Sequence, residues 1–285
     1  MGGLGNQMFQ YALGRTLTYS SGLDLILNIS WFNSCKERTY QLSQFNIPVI
    51  TSPEAIDEDI TSTKSLFTIM KRINKRIKKK SNYQKIYEES IPFNADILSS
   101  PDNSVLIGYW QSEKFFVNIE AVIRKDFRFI YPPVGENYRI IPEIKGKQSV
   151  AIHIRRGDYV ANPSTYSTHG VCSLDYYNKG MQYIESHIGK PHYFIFTDDP
   201  EWARQNITSK YDITIIDWNN DAPYEDLRLI SLCNHHIIAN SSFSWWGAWL
   251  GKKEGQIVIA PDPWFDDPFH KTPDIYVRDW VCIQK

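Results

Sequence analysis

Ser149-Val150-Ala151-Ile152-His153-Ile154 runs without a break into Arg155-Arg156-Gly157-Asp158-Tyr159. A short β-branched, apolar run ending abruptly in charge reads as a buried strand that delivers polar groups at its carboxyl end. The same texture recurs downstream, at His192–Phe196, Ile213–Ile216, His236–Ala239 and Ile257–Ala260. Helical patterns lie between these runs, at Leu174–Ile188, Pro200–Tyr211, Tyr224–Cys233 and Ser244–Gly251. Strands alternating with helices predict a doubly wound α/β sheet, in which ligands sit beyond the carboxyl ends of the strands.

Upstream the pattern is mixed but still α/β. A Gly-rich turn opens a helix over about Gln7–Ser20, followed by a strand near Leu23–Ile29. The stretch Tyr131–Gly146, rich in Pro, Gly and Glu, reads as a linker. The expected division is 1–133, a linker at about 134–146, and 147–285. A Gly-rich turn that opens a helix ordinarily follows a strand, yet only Met1 precedes Gly2. A missing first strand is the favoured expectation, with a differently built sheet as the alternative. The basic run Lys71–Lys80, with Phe67, Met70, Ile73 and Ile77 at helical spacing, reads equally as a membrane-surface helix or as a solvated face.

The chain has 285 residues, is 42% hydrophobic and 22% charged, and carries a formal net charge of -1, which speaks against a nucleic-acid binder. Cys35, Cys172, Cys233 and Cys282 are scattered, without the pairing of a zinc site or disulfide framework. They read as reduced thiols, and the sequons at Asn28, Asn206 and Asn240 as chance occurrences. No run approaches the ~20 apolar residues of a membrane span. The expected location is the cytoplasm, including the inner face of the membrane.

Four constellations carry the chemistry. His153, Arg155, Arg156 and Asp158 close the first strand, and two adjacent guanidiniums match a pyrophosphate whose charge builds as a nucleotide leaves. The competing reading is an Arg–Asp pair that staples a loop. Asp198 and Asp199 close the second strand and suit a base, a ribose, a cation or simply a helix cap. Asn240-Ser241-Ser242-Phe243-Ser244-Trp245 opens a helix with hydroxyls and free N–H groups, an anion site or plain capping. Gly3, Gly5, Asn6 and Gln7 lie in a turn that permits close approach of a ligand and offers amides to sugar hydroxyls. The G-x-G-x-x-G spacing of a dinucleotide fingerprint is incomplete there.

GGLGNQMFQYA at Gly2–Ala12, HIRRGDY at His153–Tyr159 and NSSFSWWGAWL at Asn240–Leu250 together resemble the motifs of α-1,2-fucosyltransferases of glycosyltransferase family 11. The resemblance implies a GT-B-like fold, with two Rossmann-like domains facing a central cleft. It implies inverting transfer of fucose from GDP-fucose to the 2-hydroxyl of a galactose-terminated glycan, such as surface polysaccharide or O-antigen, lipid-linked acceptors included. No obligatory metal and no cofactor beyond the donor are expected. On this resemblance Arg155 and Arg156 serve the diphosphate, and His153 with Asp198 or Asp199 lies near the nucleoside. Ser241–Trp245 hold phosphates or fucose, Asn6 and Gln7 face the transfer site, and Asp158 is the candidate base. Rival readings are an O-fucosyltransferase or core-type fucosyltransferase, and a non-catalytic sugar- or nucleotide-binding protein.

Overall fold

The computed structural model describes residues 1–54, 83–90, 92–268, 270 and 273–285. The basic run Lys71–Lys80 lies outside the described residues. The first half opens with helix α1 (Leu4–Tyr19), then strands β1 (Ile26–Asn28) and β2 (Ile50–Ser52), which pair in parallel. Strands β3 (Gln84–Tyr87) and β4 (Ser104–Ile107) form a second parallel pair. Helix α2 (Glu120–Asp126) ends this half. Gln10 Nε2 donates to the carbonyls of both Met1 (3.3 Å) and Gly108 (3.0 Å), so the chain start sits beside the end of β4.

The stretch read as a linker is instead helix α3 (Gly135–Gly146). Gly135 enters it at φ 58°, a conformation glycine adopts without a Cβ clash, and Ile144 is buried against the following sheet. Apolar residues at helical spacing outweigh Pro142 there.

Strand β5 (Ser149–Ile154), short helices α4 (Gly157–Ala161) and α5 (Pro163–His169), and α6 (Leu174–Ile188) follow. Next come β6 (His192–Thr197), α7 (Pro200–Asn206), β7 (Ile213–Ile216) and α8 (Pro223–Leu232). Strand β8 (His235–Ile237), α9 (Ser242–Leu250), β9 (Val258–Asp262) and β10 (Val281–Gln284) complete the chain. The α/β architecture with a parallel sheet is as expected, and the sheet order is β10-β9-β8-β5-β6-β7. Numbered within this half from β5, that is the 3-2-1-4-5-6 order of nucleotide-binding sheets, with its switch point between β5 and β8. The central strand β5 is buried at every position, which explains why its sequence shows no alternation.

The halves share a core. Phe9 of α1 lies 4.6 Å and 4.9 Å, ring centre to ring centre, from Trp245 and Trp246 of α9. Phe116 stacks on Trp246 at 5.2 Å. Aromatic pairs at these separations add about 0.5–1.5 kcal/mol each beyond burial. Among the described residues, no helix is long and apolar enough to cross a membrane.

Candidate active site at the switch point

Parallel strands β5 and β8 flank the switch point, and both motifs leave the carboxyl ends of these strands. Arg155 and Arg156 leave β5, while Asn240 and Ser241 follow β8 and open α9. Tyr159 bridges the two, its hydroxyl donating to the Asn240 carbonyl at 3.2 Å.

The arginines stand in a lattice of carboxylates. Arg155 reaches Asp198 Oδ2 through Nη1 (2.7 Å) and Asp158 Oδ1 through Nη2 (2.5 Å). The other Asp158 oxygen, Oδ2, accepts from Arg38 Nη2 at 2.9 Å. Arg156 Nε donates to Asp199 Oδ2 at 3.1 Å, and its guanidinium lies 4.3 Å over the Trp202 ring. The Arg156 backbone N–H donates to Asp198 Oδ1 at 2.8 Å. Asp199 also caps α7, accepting the Trp202 N–H at 3.1 Å. Three guanidiniums thus share three carboxylates, all partly exposed, so an incoming polyanion meets cations held in place by displaceable partners.

Arg38 comes from the first half and escaped the sequence reading, since a single Arg in the polar run Cys35–Gln41 carries no pattern. Its loop is held by Gln7, whose amide donates to the Thr39 carbonyl (2.9 Å) and accepts the Gln41 N–H (3.0 Å). Gln7 is buried and acts here as a brace for the loop that presents Arg38.

Asn6 joins the halves at the same place. Its Oδ1 accepts from Gln111 Nε2 and Ser242 Oγ, both at 2.7 Å. Gly5 has no room for a side chain, because a Cβ would lie 2.4 Å from the Ser242 carbonyl carbon. The N-termini of α1 and α9 therefore approach to backbone contact, which only glycine allows. Gly3 faces open space.

His153 is buried, and its ring lies 5.6 Å from that of Phe243. Burial pulls its pKa down to about 4, helped by Arg155 and opposed by Asp198, so it is neutral near pH 7. Its Nδ1 is buried with no partner among the described residues. Such an orphan costs stability unless a ligand satisfies it.

Several expected ligand contacts are committed to the scaffold. Asn240 is buried, with its amide donating to the carbonyls of His169 (2.7 Å) and Trp264 (3.1 Å). Ser241 caps α9 by accepting the Phe243 N–H, and Ser244 is buried against the Ala239 and Ser241 carbonyls. Trp245 is wholly buried, with its indole N–H donating to the Ile275 carbonyl at 2.6 Å, so it has no face toward a ligand. A strongly apolar helix packed between the two halves spends its tryptophans on the core they share.

Comparison with known proteins places this arrangement. Residues 2–284 match the model of the family described as Glycosyl transferase family 11. The chain is similar to an alpha-1,2-colitosyltransferase of Escherichia coli, 34% identical, covering 100% of this chain and 97% of the relative. It is also similar to the O-antigen biosynthesis glycosyltransferase WbnK of Escherichia coli, at 33% identity with 93% of each covered. Human galactoside alpha-(1,2)-fucosyltransferase 1 is 26% identical, over 62% of this chain and 52% of that protein.

Proposed function

This chain belongs to glycosyl transferase family 11, and on that premise we propose that it transfers L-fucose from GDP-fucose to the 2-hydroxyl of a terminal galactose. The convergence of Arg38, Arg155 and Arg156 at the switch point is the observation that carries this reading. A nucleotide-sugar donor leaves as a diphosphate, and fixed guanidiniums aimed at that charge lower the barrier without an obligatory metal.

In this reading the diphosphate displaces the carboxylates from the arginines. The α9 N-terminus adds its dipole, and the unpartnered His153 Nδ1 serves the nucleoside. Once Arg38 and Arg155 turn to the diphosphate, Asp158 regains free oxygens. It then accepts the proton of the acceptor hydroxyl as that oxygen attacks the anomeric carbon opposite GDP. The bond to GDP breaks with inversion, and Tyr109, exposed beside Gly2, and Gln111 lie on the acceptor side.

The similarity to a colitosyltransferase over the whole chain favours a second reading for the donor sugar. Colitose is the 3-deoxy counterpart of fucose, so the two donors differ at one hydroxyl. Incubation of the protein with galactoside acceptors and either GDP-fucose or GDP-colitose, with product linkage read by NMR, separates them. An α-1,2-fucosylated galactoside supports the first reading and colitosylation alone the second. Failure to form product from either donor across the acceptor panel overturns both.

A further inference from the structure

A groove of about 710 Å³ opens far from the switch point, between α2, α3 and the ends of α8 and α9. Its walls include the last residues of α3, α8 and α9, which feed the amino ends of the parallel strands. The groove therefore lies at the end of the sheet opposite the carboxyl ends that release Arg155, Asp198 and Asn240.

Arg124, Arg128, Lys145, Arg228 and Lys252 line it, and among the described residues no acidic side chain does. Three of these cations have structural work. Arg124 pairs with Glu120 (2.8 Å) and covers the Trp249 ring, Arg228 pairs with Glu225 (2.7 Å), and Lys252 approaches Glu120 at 3.6 Å. Arg128 and Lys145 are exposed, with no ion pair among the described residues. Arg124 Nη2 is buried without a hydrogen-bond partner among the described residues.

Beside the cations stands an apolar rim. Ile130, Tyr131, Val134 and Tyr138 are 51%, 63%, 72% and 68% exposed, a concentration of large apolar groups in one short segment. Arg228 Nη2 donates to the Tyr131 carbonyl at 2.9 Å, which fixes that rim against the groove. Exposed apolar groups edged by unpaired cations match the chemistry of a bilayer interface, where phosphates are anionic and aromatic rings favour the headgroup layer.

We propose that this face docks the protein on an anionic lipid bilayer, with lipid phosphates in the basic groove and Ile130, Tyr131, Val134 and Tyr138 in the interfacial layer. A lining that is basic and, among the described residues, free of acids favours an anionic partner, and an anionic lipid surface supplies both halves of the match. The inference is independent of the transfer reaction, because none of these residues belongs to the site at the switch point.

The test is sedimentation of the full chain with vesicles of phosphatidylcholine alone or mixed with phosphatidylglycerol, at low and high salt. Retention is expected only on phosphatidylglycerol vesicles at low salt. The pair Arg128→Glu with Lys145→Glu lowers it by about tenfold, and Tyr131→Ser with Val134→Ser by several-fold. Both pairs keep the parent melting temperature, and a triple change of Lys78, Lys79 and Lys80 to Gln keeps the retention. The proposal is overturned if no vesicle retains the protein or neutral vesicles retain it equally. It is also overturned if only the Lys78–Lys80 change abolishes binding, or if the apolar rim instead drives a dimer in gel filtration without vesicle retention.

Discussion

Arg38 Nη2 lies 2.9 Å from Asp158 Oδ2, while Arg155 takes the opposite oxygen of the same carboxylate at 2.5 Å. One aspartate therefore holds a guanidinium from each half of the molecule at the mouth of the switch point. Both sides of the Arg38–Asp158 pair are exposed by more than a third, so it contributes only about 0–1 kcal/mol to stability. Arg38→Ala is expected to leave the melting temperature within a degree or two, yet reduce kcat/KM by about 10–100-fold. Steady-state kinetics beside a thermal melt checks this, and unchanged kinetics would make Arg38 a surface staple.

Asp158 is expected to act as a base once the arginines have moved to the diphosphate. Asp158→Asn should then lower kcat by about 10²-fold, with a smaller change in the KM for donor. Full activity in the variant would remove Asp158 from proton transfer.

Gly5 meets the α9 backbone where a Cβ would stand 2.4 Å from Ser242 and 2.5 Å from the Phe243 nitrogen. Backbone cannot rotate aside, so Gly5→Ala should destabilise by about 1–3 kcal/mol through overpacking. Gly3, with nothing within 4 Å of its would-be Cβ, should accept Ala with much less loss of stability. Paired denaturant melts of the two variants check the contrast.

The sequence carried the second half of the fold well and the first half poorly, for a physical reason. Buried parallel strands such as β5 read as unbroken apolar runs, and Leu174–Ile188 has the amphipathic spacing of the helix found there. Strand β10 (Val281–Gln284) is a short edge strand with alternating exposure, too brief to carry a sequence pattern of its own. In the site, adjacent Arg155 and Arg156 announced themselves because paired charge at a strand end demands partners. Arg38 and Gln111 reach the site only through tertiary contact, and no local pattern marks them. Motif residues such as Asn240 and Trp245 are legible as important, while their roles as buried braces arise from long-range hydrogen bonds that no local pattern encodes.

Asp226 links α8 to a buried amide network, accepting from Asn219 at 2.8 Å. Burial raises its pKa to about 7, opposed by the Asn219 hydrogen bond and assisted by Glu225. A carboxyl whose folded pKa is raised favours folding while protonated, and that stability is lost as pH rises from about 4 through about 7. Asp226→Asn does not titrate. Its stability advantage over the parent should therefore grow across that window, by at most about 1.4 kcal/mol per pH unit, and level off above it. Melting temperatures of both proteins at pH 5 and pH 8 check the sign, and a constant difference would contradict it.

In the proposed reaction, the guanidiniums paired with carboxylates at the switch point carry the charge of the departing diphosphate, with no obligatory metal. The most direct test is the initial rate of GDP release from GDP-fucose, with lactose as acceptor, in excess EDTA. The prediction is acceptor-dependent release that EDTA does not diminish. Release that stops in EDTA and returns only with added divalent cation would contradict it.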